Sequence, residues 1–300
     1  MSSIKNWFFA TRPHTLTASV APILIGSGCA WLAQHTQAVP SQNFWLLSLL
    51  CLVCAVSLQI AVNLGNDYFD HRSGVDSKRH LRPNSSIIAG KLSVNQVGIG
   101  TVIALLVGMV SGLTLCYLSQ PVLILLGLVC VICVWAYSAG PFPLAYNALG
   151  ELVVFVIFGP IAVIGSYYVQ LGRIDSSLWL PSIQMGLYAA AIMLVNNIRD
   201  TSSDGAGGKK TLATLWGEAR CRFFYKAIML VALACGLGYF PASGHTAFSS
   251  YLIAPATALL LIKLNQRQGA ALNQQLAGTA QIMLVAALLL CLDVLWLGEV

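Results

Sequence analysis

Asn63, Asp67 and Asp70 are spaced i, i+4, i+7, so on a helix they line one face for two turns, with Asn66 one step round. Asp76 follows a turn expected at Gly74. A second stretch repeats the theme: Asn197, Asp200 and Asp204 stand at i, i+3, i+7, ahead of Gly205-Ala206-Gly207-Gly208 and then Lys209-Lys210. Clustered carboxylates repel one another and lose hydration at a lipid boundary, so they persist only where cations neutralise them. A network of local Arg and Lys partners is the plainest source of that charge. The spacing argues against it, because the carboxylates run along one face instead of each meeting a base at i+4. Oxygen donors without His or Cys favour Mg²⁺, which keeps several waters and takes one or two carboxylates together with phosphate oxygens. Arg82, Lys91, Arg199, Lys209 and Lys210 flank the acids, so the expected ligand is a diphosphate held between metal ions and basic side chains. The amides of Asn63, Asn66, Asn196 and Asn197 would orient the carboxylates or metal-bound waters.

Both stretches must be positioned by helices in a bilayer. Of 300 residues 57% are hydrophobic and only 9% charged, at a mean hydropathy of +0.77, against about 25% charged in soluble proteins. At about 20 apolar residues per span, the composition allows about eight or nine. Runs such as Val122 to Tyr137 and Gln281 to Leu297 are apolar on all sides, which excludes the period-two alternation of a β-barrel. The expected fold is all-α: one domain over 1–300 with spans near 16–34, 44–66, 94–118, 122–137, 149–170, 183–200, 225–240, 248–262 and 276–297. Nine spans place every basic residue of the 16 except Arg173 on one side, as the positive-inside rule expects of the cytoplasm. The N-terminus is then cytoplasmic and the C-terminus outside.

The acidic stretches open the two long polar connections of that cytoplasmic side, 67–93 and 201–224. A net charge of +6 does not imply nucleic acid, because a membrane protein's Lys and Arg face the anionic leaflet. Among nine cysteines, the pairs Cys51/Cys54 and Cys130/Cys133 lie in apolar runs without His or acidic neighbours and are read as packing. No cleavable signal peptide is expected, since the first apolar run is long enough to span and serves as its own insertion signal. A polar head at the membrane boundary implies a ligand with an apolar tail, and an isoprenyl diphosphate meets both demands. Its ionisation leaves an allylic cation, which requires a dry cavity and an electron-rich acceptor, such as a hydroxylated aromatic ring, already in place.

Asn63-Leu64-Gly65-Asn66-Asp67-Tyr68-Phe69-Asp70, running on to Gly74-Val75-Asp76, and Asn196-Asn197-Ile198-Arg199-Asp200 to Asp204 resemble the two Asp-rich motifs of the UbiA superfamily of intramembrane prenyltransferases. Arg12-Pro13 is similar to that family's entry motif. Tyr137-Ser138-Ala139-Gly140-Pro141-Phe142-Pro143-Leu144, Gly150-Glu151 and Gly208-Lys209-Lys210-Thr211-Leu212 resemble its menaquinone branch, and Pro141 stands where the hydroxybenzoate branch tends to carry Lys. The resemblance implies a helix bundle around a central cavity open sideways to lipid, with cytoplasmic cap loops, in the inner (plasma) membrane. It implies two Mg²⁺ ions bridging the Asp motifs and a polyprenyl diphosphate, and 1,4-dihydroxy-2-naphthoate as acceptor, prenylated with loss of its carboxylate to demethylmenaquinone. Carried over by position, Asp67, Asp70, Asp200 and Asp204 are the catalytic metal ligands, with Asp76 as a further one. Arg12, Asn63, Asn66, Arg82, Tyr137, Asn197, Arg199, Lys209 and Lys210 bind substrate.

Two rivals stand beside this reading: transfer to another aromatic acceptor such as 4-hydroxybenzoate, and a secondary transporter. Transporter sites lie near the bilayer midplane on broken helices, whereas these acids sit at a helix mouth beside Lys and Arg. Glu151, at a span's start, is a candidate base, although a carboxylate there is also favourable with the helix dipole.

Overall fold

Apolar runs longer than most soluble helices set the architecture. A computed structural model describes residues 4–36, 43–72, 87, 90–138, 140–243 and 249–297. The helices are α1 (Ile4–Ala10), α2 (Pro13–Thr36), α3 (Phe44–Arg72), α4 (Val94–Leu118) and α5 (Leu123–Ser138), then α6 (Gly150–Val156) and α7 (Gly165–Leu171). After these come α8 (Trp179–Ala206), α9 (Leu212–Trp216), α10 (Glu218–Ser243), α11 (Ser249–Leu264) and α12 (Leu272–Leu297). Among the described residues the only β-type pairing is an isolated bridge between Asn147 and Lys210.

Each of the nine expected spans coincides with a helix, α6 and α7 forming one rod of 22 residues. Seven of them are long and apolar enough to cross a membrane. The other two, α5 and α11, have 16 residues each, or about 24 Å, less than the ~30 Å hydrocarbon core. Large apolar side chains such as Ile99, Leu106, Leu125 and Leu128 are exposed along α4 and α5, as befits surfaces solvated by lipid chains.

Several helices run past the expected bounds, α10 starting at Glu218 among them, and two of these extensions bear on the site. The connections are expected from residues 67 and 201, but α3 continues to Arg72 and α8 to Ala206. Hydropathy marks where lipid ends, not where backbone hydrogen bonding ends, so a helix runs on into polar sequence until something breaks it. For α8 the break is Gly207-Gly208, with Gly208 at φ +76°. Both acidic stretches therefore project from rigid helix ends.

Helix α8 is the axis of the second half, packed on α6, α10 and α12, while α12 lies along α2 and brings the last span against the first. Ile25, Met185, Leu194, Met229 and Met283 are among the fully buried residues of the core shared by these helices. Between α6 and α7 the segment Ile157–Ile164 widens to π-helical hydrogen bonding around Pro160, whose missing N–H interrupts the α-ladder. Gly159 and Gly186 let this segment and α8 approach closely: a Cβ at Gly159 would lie 2.5 Å from the Ser182 carbonyl oxygen and 3.0 Å from the Gly186 Cα. Gly159→Val is expected to destabilise the bundle by ~1–3 kcal/mol through overpacking. Gly127→Ala, inside α5 where an added Cβ meets nothing within 4 Å, is expected to cost nothing and to gain up to ~1 kcal/mol from helix propensity. Thermal unfolding of the two variants in detergent checks the contrast.

Candidate active site

Asp67, Asp70, Asp200 and Asp204 are each at most 3% exposed, so each needs a compensating partner. The partners come mostly from other segments. Asp67 Oδ1 accepts from the Arg12 guanidinium. Arg12 stands at the α1–α2 junction with φ +53°, one of two non-glycine residues among those described with positive φ. Its carbonyl accepts from the Thr15 N–H at 2.8 Å and hydroxyl at 2.9 Å. Asn63 braces the same junction, its amide N–H groups donating to the Thr11 carbonyl and Thr15 Oγ1, both at 2.9 Å. The other oxygen of Asp67 is buried and without a hydrogen-bond partner.

Asp70 joins the two halves of the chain. Its Oδ1 accepts from Lys209 Nζ at 2.9 Å and from the Tyr146 hydroxyl at 2.6 Å. Lys209 Nζ also lies 4.0 Å from the Tyr146 ring centroid. The backbone fixes this arrangement: Lys209 N–H donates to the Asp204 carbonyl at 2.9 Å, Lys210 N–H to the Tyr146 carbonyl at 3.1 Å, and Ala148 N–H to the Lys210 carbonyl at 2.6 Å. Ala148 is the other non-glycine residue with positive φ among those described, at +54°.

On α8, Asp200 is held in a fork by Arg199, whose Nε and terminal nitrogen both lie 2.8 Å from its oxygens. The same guanidinium donates to Asn196 Oδ1 and to Asn273 Oδ1 on α12, both at 2.6 Å. Asn197 donates to Glu151 Oε1 at 2.8 Å, and Glu151 Oε2 is buried without a partner. The Asn197 amide group is thereby oriented with its NH₂ toward the carboxylate.

These groups surround the head of a cavity of about 480 Å³. Its polar end is lined by Arg12, Asn63, Asn66, Asp70, Asn196, Asn197, Asp204 and Lys209, and the remainder mostly by apolar side chains of α2, α3, α4, α5, the α6–α7 rod and α8. Tyr137 lines it too, with its hydroxyl 3.2 Å from Met193 Sδ. Cys51, Cys54, Cys116, Cys130 and Cys133 are part of this wall as free thiols.

Of the residues singled out in the sequence, the structure thus brings Arg12, Asn63, Asn66, Asp70, Tyr137, Asn197, Asp204 and Lys209 to one cavity. Asp67, Asp200 and Arg199 do not line it. Lys210 is exposed and engaged through its backbone. Asp76 and Arg82 lie outside the described residues. The spacing argues against a base at i+4, and the bases that Asp67, Asp70 and Asp200 do meet stand elsewhere: Arg12, Lys209 and the adjacent Arg199. Spacing along a single helix cannot reveal a base supplied by another segment. Among the described residues no three His, Cys, Asp or Glu side chains stand together as a metal site. The donor set nevertheless suits a hard cation that needs only one or two carboxylates and completes its sphere with waters and phosphate oxygens: Asp70, Asp204 and the amide oxygens at the same cavity end. Tyr146 was missed, because nothing in its local sequence relates it to Asp70, 76 residues earlier.

A model of the UbiA prenyltransferase family matches residues 19–288. The chain is 36% identical over 233 residues to 1,4-dihydroxy-2-naphthoate octaprenyltransferase of Mycobacterium tuberculosis, covering 77% of each chain. It is 32% identical over 263 residues to the Haemophilus influenzae protein of the same name, covering 86% of this chain and 83% of that one. A solved UbiA homolog from Archaeoglobus fulgidus, bound to GPP and Mg²⁺, superposes with a TM-score of 0.63 at 14% identity, covering 95% of this chain and 99% of that one, a likeness of fold.

The contacts of Arg199 make it a brace for Asp200. Arg199→Leu is expected to lower stability by about 3–5 kcal/mol by stranding a buried charge. Arg199→Leu combined with Asp200→Leu is expected to recover most of that loss, and Lys210→Ala to change nothing. Thermal unfolding in detergent, read as a double-mutant cycle, checks all three.

Proposed function

The chain belongs to the UbiA prenyltransferase family, and from that premise we propose that it transfers a polyprenyl group from its diphosphate to 1,4-dihydroxy-2-naphthoate, with decarboxylation. The observation that carries this reading is the 2.9 Å contact between Asp70 and Lys209 at the head of an otherwise apolar cavity. It brings the ends of α3 and α8 to one place, where a charged head group and a long hydrocarbon tail are accommodated together. The names of the relatives supply the acceptor. The inner membrane, with the N-terminus cytoplasmic, is the proposed location, on the distribution of Lys and Arg.

In this account Asp70 and Asp204, helped by the amides of Asn66 and Asn197, hold Mg²⁺, of which the family pattern calls for two ions. Asp67 and Asp200, also proposed ligands by position, are engaged by Arg12 and Arg199. When bound, Mg²⁺ supplies positive charge to the diphosphate as it departs. Lys209 and Arg12 supply the rest, placed in a site of low dielectric where their charge acts strongly on the leaving oxygens. The bond from prenyl C1 to oxygen breaks with its electron pair leaving on diphosphate. The apolar walls keep water from the allylic cation. The electron-rich naphthalene ring forms the new carbon–carbon bond at its carboxylate-bearing carbon, and loss of CO₂ restores aromaticity, giving demethylmenaquinone at the hydroquinone level. Tyr137, in the cavity wall, is the proposed flank of the reacting carbon.

The test is incubation of membranes containing the protein with geranyl to octaprenyl diphosphates and a panel of aromatic acids, followed by mass spectrometry. The expected product forms from the naphthoate alone, with its carboxylate lost, and disappears with excess EDTA. Asp70→Asn and Asp204→Asn are each expected to lower turnover by roughly 10²-fold or more. Normal transfer in EDTA, or a prenylated hydroxybenzoate as the only product, would contradict the reading.

A further inference from the structure

We propose that Tyr146 is a positioning residue with two separable actions: its ring sets the place of Lys209 and its hydroxyl sets the orientation of Asp70. The inference deepens the proposed function and rests on its reading of a diphosphate held at this cavity head. Tyr146 does not line the cavity, whereas both side chains it touches do. It therefore acts through them.

The physical need is clear from Lys209 itself. A lysine carries its charge on a flexible four-carbon stem, and holding it in one place costs up to ~2 kcal/mol of rotamer freedom. Asp70, its ion-pair partner at 2.9 Å, cannot serve as the sole anchor once Asp70 turns to a cation and Lys209 to a phosphate oxygen. The Tyr146 ring, centred 4.0 Å from Nζ, attracts the ammonium through its face and offers no lone pair that would compete with phosphate for its N–H groups. Lys209 can thus change its oxygen partner without leaving its place. The hydroxyl, 2.6 Å from Asp70 Oδ1, does the corresponding work for the carboxylate: it still donates to Asp70 after Lys209 has turned away, fixing how the carboxylate is presented. An outer hydrogen-bond partner of this kind commonly controls metal affinity.

The backbone around Tyr146 is built for the same end. It ends a short helical turn, Leu144–Tyr146, and its carbonyl accepts from Lys210 N–H while Ala148 N–H donates to the Lys210 carbonyl. The segment that carries the ring is thereby registered residue by residue against the segment that carries the ammonium. Closing that register takes Ala148 into the left-handed region, at φ +54°, a conformation that costs a non-glycine residue free energy and persists only where surrounding contacts enforce it.

Two substitutions separate the actions. Tyr146→Leu removes ring and hydroxyl; Tyr146→Phe removes the hydroxyl alone. Binding of inorganic diphosphate in the presence of Mg²⁺ is measured by calorimetry on the detergent-solubilised full chain, together with KM for both substrates and the Mg²⁺ concentration giving half-maximal activity. Tyr146→Leu is expected to weaken diphosphate binding and raise the prenyl diphosphate KM by roughly 5- to 30-fold, with the acceptor KM unchanged. Tyr146→Phe is expected to restore diphosphate affinity to within about twofold while raising half-saturating Mg²⁺ by roughly tenfold. A folded Tyr146→Leu protein with unaltered diphosphate affinity, or equal rises in KM for both substrates, overturns the ring's role. If Tyr146→Leu fails to fold, Tyr146→Phe decides: an unchanged Mg²⁺ requirement, or a loss of diphosphate affinity as large as predicted for Leu, overturns the proposal. Failure of the unaltered protein to bind diphosphate with Mg²⁺ would instead strike the proposed function on which this rests.

Discussion

A carboxylate withdrawn from water at the edge of a bilayer keeps its charge only if a cation meets it, and the organisation of this protein is a response to that requirement. Four aspartates are buried at the ends of two helices. Arg12 neutralises Asp67 from the first helical junction, Arg199 holds Asp200 from the same turn of α8, and Lys209 reaches Asp70 across the cavity mouth. The Lys209 contact matters most, because it is made between segments distant in sequence and holds the two acidic helix ends over one cavity. It is backed by the Tyr146 hydroxyl on Asp70 and by the backbone bonds that register Lys210 against Tyr146 and Ala148.

The bundle below supplies what such a head needs. Close packing of the π-helical segment on α8 at Gly159 and Gly186, and of α12 along α2, gives a rigid frame. Against it, the cavity runs between α2, α3, α4, α5, the α6–α7 rod and α8. Among the described residues, the two non-glycine positions with positive φ, Arg12 and Ala148, both sit where a connection must deliver a charged or aromatic group to the mouth. Backbone strain is concentrated at the site and outweighed by the frame around it.

Much of this was legible in the sequence, and what was not has physical reasons. Hydropathy found a helix at each expected span because the bilayer imposes a length and an apolar surface on it, but it did not show the short helices α1 and α9. It did not locate the helix ends, since α3 and α8 continue through Asp70 and Asp204 into polar sequence. The i, i+4, i+7 spacing identified the acids that gather at the mouth, but it could not distinguish Asp70 and Asp204, which line the cavity, from Asp67 and Asp200 behind them. That difference depends on rotation of each helix against its neighbours. The same spacing argued against a base at i+4, and it could not show the bases that Arg12 and Lys209 bring from other parts of the chain. Tyr146 was invisible for the same reason, standing in a connecting segment whose register is set by backbone bonds to Lys210.

The central claim, that both acidic helix ends hold one ligand, is tested most directly by a double-mutant cycle on binding. Inorganic diphosphate is titrated with Mg²⁺ into the unaltered protein, Asp70→Asn, Asp204→Asn and the double variant. Shared action on one diphosphate predicts that each single substitution weakens binding and that the double loss departs from the sum of the singles by ~0.5–3 kcal/mol. Strict additivity, or full affinity in either single variant, would contradict it.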